Sequence, residues 1–172
     1  MRTKRRPNST QAYTPVQPKI VLDATDIRVL KAMLEDPRLP ISRLAKLVKM
    51  SRPSVGDRIR KLETQGVIRG WSVDLDPSML GFPLTCYVRI RPGQGHHGTV
   101  ANLAQQTPQV VECHRITGED CILLKVVIES MSDLGQLLDR FLPYGQTTTS
   151  VIQSSPVAPR PPPLPKIQET VT

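Results

Sequence analysis

The chain has 172 residues, of which 38% are hydrophobic but only 3% aromatic, and it carries a net charge of +8. That length suits one medium domain or two small ones with aliphatic cores, and the charge favours a polyanionic partner: nucleic acid or an acidic membrane surface. No apolar run approaches the ~20 residues of a membrane helix. The basic start is followed by no apolar stretch of secretory type. Three cysteines, Cys86, Cys113 and Cys121, stand at no zinc-binding spacing and read as buried free thiols in a reducing cytosol.

The charge is unevenly placed. Residues 1–20 hold five basic and no acidic side chains, residues 21–75 eleven and seven, and residues 76–153 five and seven. The first half can therefore hold a polyanion and the second cannot. Residues 1–20, with Pro7, Pro15 and Pro18, read as a disordered basic arm.

A helical block spans 21–75. Asp23 is a good cap for a helix whose apolar stripe is Ile27, Leu30, Met33 and Leu34, with Pro37 just past its end. A second helix starts near Pro40, with Ile41, Leu44, Ala45 and Val48 as its stripe. After the short connection Met50-Ser51, Ser51 caps a third helix with Pro53 in its first turn, Val55, Ile59 and Leu62 inward, and Gly66 at its end. Trp71, Val73 and Leu75 then alternate with polar residues and predict a strand.

The third helix carries the chemistry. With its apolar row inward, Asp57, Arg60, Lys61 and Thr64 face outward at 100° per residue, and Ser54 and Arg58 lie on the flank. Residues 42–61 hold seven basic side chains against one acid. A cationic helix after a near-zero-length turn fits the major groove of double-stranded DNA. The predicted DNA-binding residues are Lys49, Ser51, Arg52, Ser54, Asp57, Arg58, Arg60 and Lys61. Most of these would neutralise phosphates, while Ser54, Arg58, Arg60 or Lys61 could reach base edges.

Residues 76–83, with Pro77, Gly81 and Pro83, read as a hinge, and a second block follows over 84–154. Leu84, Cys86, Val88 and Ile90 alternate with polar neighbours as a half-buried strand, and Val100, Leu103 and Ala104 suggest a short helix. Residues 110–116 and 121–128 read as strands around a tight turn at 117–120. Met131, Leu134, Leu137, Leu138 and Phe141 mark an amphipathic helix, and 147–153 a closing strand. The order β-α-β-β-α-β predicts a ferredoxin-like fold with helices on one sheet face. The strand 121–128 is apolar on nearly every residue, so a second copy is the economical cover for the other face. Residues 155–172 hold six of the chain's prolines between Pro156 and Pro165 and read as a disordered, extended tail. His96 and His97 read as loop residues with no ligating neighbours, and His114 as a structural histidine. No nucleophile motif, phosphate-binding glycine loop or paired catalytic carboxylates are found. An enzyme, a metal site and a cofactor are therefore not expected.

The run from Leu44 to Glu63 (LAKLVKMSRPSVGDRIRKLE) with Gly66-Val67-Ile68, the opening Leu22-Asp23-Ala24-Thr25-Asp26-Ile27, and the stretch from His114 to Val126 (HRITGEDCILLKV) together resemble the Lrp/AsnC family of transcriptional regulators. The resemblance covers about residues 21–154 and implies an α+β protein: an N-terminal winged helix-turn-helix, then a ferredoxin-like effector and dimerisation domain. It implies a homodimer, in some members a tetramer of dimers, with an amino acid or related metabolite as effector. The effector residues it implies are Gly118, Glu119 and Asp120 in the hallmark turn, and Thr147, Thr149 and Ser150 on the last strand. Hydroxyls and backbone amides suit a carboxylate, and Glu119 or Asp120 an ammonium group. A cytoplasmic, nucleoid-associated bacterial protein is expected. Two departures stand out: Lys49 where the family commonly has glycine, and Gly56 inside the recognition helix. Two alternatives stay open: an enzyme, since some haem-pathway decarboxylases resemble this family and share both domains, and an architectural DNA-compacting protein with no ligand.

Overall fold

The computed structural model describes residues 20–166. The chain forms two units: one made by the chain up to Val73 together with the stretch from Pro159, the other by Asp74–Ala158. The expected basic arm, except Ile20, and the end of the tail beyond residue 166 lie outside the described residues.

The first unit is built on α1 (Ala24–Glu35), α2 (Ile41–Leu47) and α3 (Arg52–Thr64). At the start of α1, Asp23 accepts from the Asp26 amide at 2.7 Å and its own amide donates to the Asp26 carboxylate at 3.2 Å. This reciprocal pair satisfies two amides that the first turn leaves without helical partners. The helix stops at Asp36, which is extended as the residue before proline must be. Its buried stripe is rotated from the expected one: Val29 is fully buried, whereas Leu34 is 45% exposed. The reason is tertiary, because the face that meets α2 and α3 is the one carrying Val29 and Leu30.

Between α2 and α3 the amide of Met50 donates to the Ala45 carbonyl at 2.9 Å, and Lys49 takes φ +56°. That left-handed conformation costs a non-glycine residue about 1 kcal/mol. Ser51 caps α3, accepting from the Ser54 amide at 3.3 Å. After α3, Gly66 at φ +74° lets the amides of Val67 and Ile68 turn back to the Leu62 carbonyl. Val29, Leu30, Leu44, Ala45, Val48, Val55 and Leu62 form the core, each large member contributing about 1.5–3 kcal/mol by burial. Gly56 has room for a side chain: a Cβ there would lie 3.7 Å from its nearest neighbours, Arg60 and Ile41.

The expected strand around Trp71, Val73 and Leu75 is not formed: these residues are in no strand and are exposed. Alternation alone is not enough, since a strand exists only where another supplies its hydrogen bonds. The tail holds no helix or strand from Ile152 to Lys166, yet Leu164 is partly buried against the helical core.

The second unit is a four-stranded antiparallel sheet of order β2-β3-β1-β4, from β1 (Leu84–Pro92), β2 (Val110–Arg115), β3 (Ile122–Ile128) and β4 (Gly145–Val151). Two helices, α4 (His97–Gln105) and α5 (Met131–Asp139), connect the strands. Cys86, Val88, Ile90, Ile122, Leu124 and Val126 meet Val100, Leu134, Leu137 and Phe141 in one core on the helix side. On the other side Tyr87, Arg89 and Arg91 are exposed, and Leu123 and Lys125 half-buried. The β-α-β-β-α-β order expected from periodicity is the observed order. The expectation of three buried thiols is corrected: Cys86 is buried, Cys121 half-buried and Cys113 exposed, and all three are free. Cys113 lies on β2, which among the described residues forms the sheet edge beside β3, opposite the buried Leu124.

Candidate DNA-binding and effector sites

In the first unit the cationic ridge follows from how α3 is buried. Val55 and Leu62 face the core, so the opposite arc is left to solvent. Lys49, Ser51, Arg52, Asp57, Arg60 and Lys61 are exposed, and Ser54 and Arg58 are half-buried. Arg60 is ion-paired with Asp57 one turn away, and the Ser51 and Ser54 hydroxyls bond each other at 2.8 Å. Among the described residues, Lys49, Arg52 and Lys61 have no ion-pair partner, so their charge is open to a polyanion.

Arg58 is differently employed. Its Nη1 lies 2.6 Å from both Asp23 Oδ2 and Asp26 Oδ1, and the Asp26 side chain is only 2% exposed. The guanidinium therefore ties the middle of α3 to the capped start of α1. Burial raises the Asp23 carboxyl's proton affinity, but hydrogen bonds from Arg58 and the Asp26 amide outweigh it and hold the group below its usual value of 3.8. The carboxylates of Asp23 and Asp26 raise the affinity of Arg58 for its proton. Sequence patterning misses this role because the partners stand 35 and 32 residues away.

In the second unit the turn between β2 and β3 is closed by the Ile116 amide donating to the Cys121 carbonyl at 2.9 Å, with Gly118 at φ +106°. Glu119 and Asp120 both meet Arg91 from the end of β1: Glu119 in a direct ion pair, Asp120 at 3.4 Å. Arg91 was not among the sequence-derived site residues. The available signal was its position, at the exposed phase of β1 next to the strand end where the turn sits. Arg91 also lines an open concavity of about 700 Å³ with Gln94, His96, Tyr144, Gly145 and Gln146. The His96 and Tyr144 rings pack there, with centroids 5.6 Å apart. Gly145 is required at this spot, since a Cβ would come 2.3 Å from the Arg91 carbonyl oxygen.

The three residues on β4 are divided by the pleat. Thr147 and Thr149 stand opposite Ile90 and Val88, on the helix-covered face, whereas Ser150 stands opposite Tyr87 on the open face. Thr149 Oγ1 is buried with no hydrogen-bond partner among the described residues. Along β1, the partner of Ser150 is four positions from Arg91, about 14 Å away. One chain therefore gathers Gly118, Glu119 and Asp120 around Arg91 but does not bring Ser150 to them. No group of histidine, cysteine and carboxylate side chains able to hold a metal occurs among the described residues. None of their helices is long and apolar enough to cross a membrane.

Comparison with known proteins agrees with both halves. A winged helix-turn-helix DNA-binding model matches residues 22–69, and the Lrp/AsnC ligand binding domain model matches residues 85–162. The chain is 32% identical over 133 residues to the HTH-type transcriptional regulator LrpC of Bacillus subtilis, covering 77% of this chain and 92% of LrpC. It is 32% identical over 139 residues to the proline dehydrogenase transcriptional activator of Rhodobacter capsulatus, covering 77% and 90%. The solved structure of B. subtilis LrpC superposes with a TM-score of 0.74 over 79% of this chain and 97% of that one. A Neisseria meningitidis regulator solved as its L-Met complex superposes with a TM-score of 0.74 at 25% identity, covering 80% and 94%. These relatives are regulators of transcription, not enzymes. With a DNA-binding helical unit followed by a ligand-binding sheet unit, the chain belongs to the Lrp/AsnC family of DNA-binding transcriptional regulators.

Proposed function

We propose that this regulator grips duplex DNA through Lys49, Arg52 and Lys61, with Ser51, Ser54, Asp57 and Arg60 lining the same ridge, and that an amino acid tunes the grip. The observation that carries the first part is the exposed cationic edge around α3, where Lys49, Arg52 and Lys61 have no ion-pair partner among the described residues. Arg58 contributes through its tie to α1 and only secondarily through the half-exposed remainder of its charge. The double variant Arg52→Ala/Lys61→Ala is expected to weaken binding at least tenfold in fluorescence anisotropy. It should also flatten the dependence of log affinity on log salt by about one unit for each phosphate that is no longer neutralised. Unchanged affinity and slope would refute this interface.

The effector part is supported by the Arg91–Glu119–Asp120 cluster and by the L-Met complex of the Neisseria relative. Opposite charges side by side at an exposed turn suit the two ends of a zwitterion, with the carboxylate to Arg91 and the ammonium to Asp120 or Glu119. Gly118 gives the turn its shape, and Ser150, on the open face, adds to the site where a second copy brings its own sheet, while Thr147 and Thr149 stay on the helix-covered face of the same strand. The open face carrying Tyr87, Leu123 and Lys125 supports a homodimer, with a tetramer of dimers as the larger assembly. Its DNA partner would put the protein on the bacterial nucleoid, in the cytoplasm. L-Methionine and the other standard amino acids, tested one by one, are expected to include one that raises Tm and shifts the DNA half-saturation point. No shift from any of them would refute the amino-acid reading while leaving the DNA interface standing.

A further inference from the structure

The proline-rich segment after the sheet unit contains one residue that is not solvated like its neighbours. Pro161, Pro162, Pro163, Pro165 and Lys166 are exposed, whereas Leu164 is partly buried and packs on the cluster of Val29, Leu30, Leu44, Ala45, Val48, Val55 and Leu62. The family's ligand-binding model ends at residue 162, so this anchor lies beyond what the family model describes. Proline fixes φ, removes an amide donor and pushes the residue before it towards extended backbone. A leucine between Pro163 and Pro165 is thus held extended before it docks, and docking costs it little further chain freedom.

We propose that residues 159–166 are a strap for the DNA-binding unit, with Leu164 filling an apolar seat among α1, α2 and α3, and that full DNA affinity depends on the seat being filled. The occupant is this chain's own tail. The attachment is short: the Ile152 amide still bonds the Thr85 carbonyl at 2.9 Å in the sheet unit, and Leu164 follows twelve residues later. A tether of that length keeps the leucine at an effective concentration on the order of millimolar, so even a weak seat is occupied. The helical unit is consequently discontinuous in sequence, made from the chain up to Val73 and from Pro159 on. Replacing Leu164 should therefore be felt in α1–α3, far away along the chain, and not in the strands next to it.

The test uses the full chain with Leu164→Asp and, as a conservative control, Leu164→Met, without added amino acid so that the effector reading plays no part. Hydrogen exchange is expected to speed up in peptides from α1–α3 in Leu164→Asp and stay unchanged in β1–β4, which also shows that the variant is folded. Tm should fall by about 4–8 °C and affinity for duplex DNA several-fold, with Leu164→Met close to the parent in both. Identical exchange in α1–α3 for parent and Leu164→Asp overturns the strap. Protection that grows with protein concentration overturns the choice of occupant, because it would mean the seat is filled by another copy's tail. Unchanged DNA affinity in a Leu164→Asp protein whose helices exchange faster overturns the dependence of binding on the seat.

Discussion

Replacing Arg58 by alanine would strip the partner from a carboxylate that has almost no water around it. Asp26 is 2% exposed and its carboxylate also accepts from the Asp23 amide at 3.2 Å. Breaking a buried pair from one side costs about 3–5 kcal/mol. Here the guanidinium is 27% exposed and Asp23 51% exposed, so solvent screening lowers the expected loss to about 2–3 kcal/mol. For a helical unit of this size that is a drop in Tm of about 10–20 °C, read by circular dichroism or calorimetry. The pH dependence gives a second handle. Asp23 sits below its usual 3.8 in the folded chain. Its contribution is therefore present above the unfolded value and lost as pH falls through the lower folded value. In Arg58→Ala, acid unfolding below about pH 4 should be shallower, because the native preference for the charged carboxylate is reduced. The double variant Asp26→Leu/Arg58→Met, which removes both charges and keeps apolar bulk, should recover most of the loss, short of the cap bond to Asp23, worth about 1 kcal/mol. An Arg58→Ala protein with unchanged Tm and a lost gel shift would refute the reasoning and return Arg58 to the DNA interface.

Lys49→Gly should raise stability by about 1 kcal/mol, since glycine takes φ +56° without strain, yet weaken DNA binding through the lost charge. Denaturant unfolding and anisotropy on one sample would read the two opposite signs, and loss of stability would contradict the strain. Gly145→Ala should destabilise the sheet unit by about 1–3 kcal/mol or more, because the new Cβ would sit 2.3 Å from the Arg91 carbonyl oxygen and 2.8 Å from Pro92 Cα, both backbone atoms. Wild-type unfolding of that variant would refute the close approach.

The local grammar of this protein is legible one residue at a time. The caps Asp23 and Ser51, the stop at Gly66 and the strand alternation of Cys86, Val88 and Ile90 depend on neighbours within a few positions, and the helices and strands stand where those signals put them. The exposure of Asp57, Arg60 and Lys61 follows from the same periodicity, because an apolar row on a helix defines its opposite face, whereas Lys49 and Arg52 are exposed at the turn and the first residue of α3. Distant pairings decided the rest. Whether Arg58 faces outward or back to Asp26 turns on a partner 32 residues away, and no local pattern encodes it. The division of Thr147 and Thr149 from Ser150 needed the register of β4 on β1, and Arg91 joined the turn only once β1 lay beside β3. Trp71, Val73 and Leu75 show the converse: strand-like alternation forms no strand where, among the described residues, no other strand lies alongside. Leu164 reads as one more tail residue until the helical core places an apolar surface under it. Propensity and periodicity act over a turn or a pleat, whereas ion pairs, sheet order and docking are chosen by what folding brings together from afar.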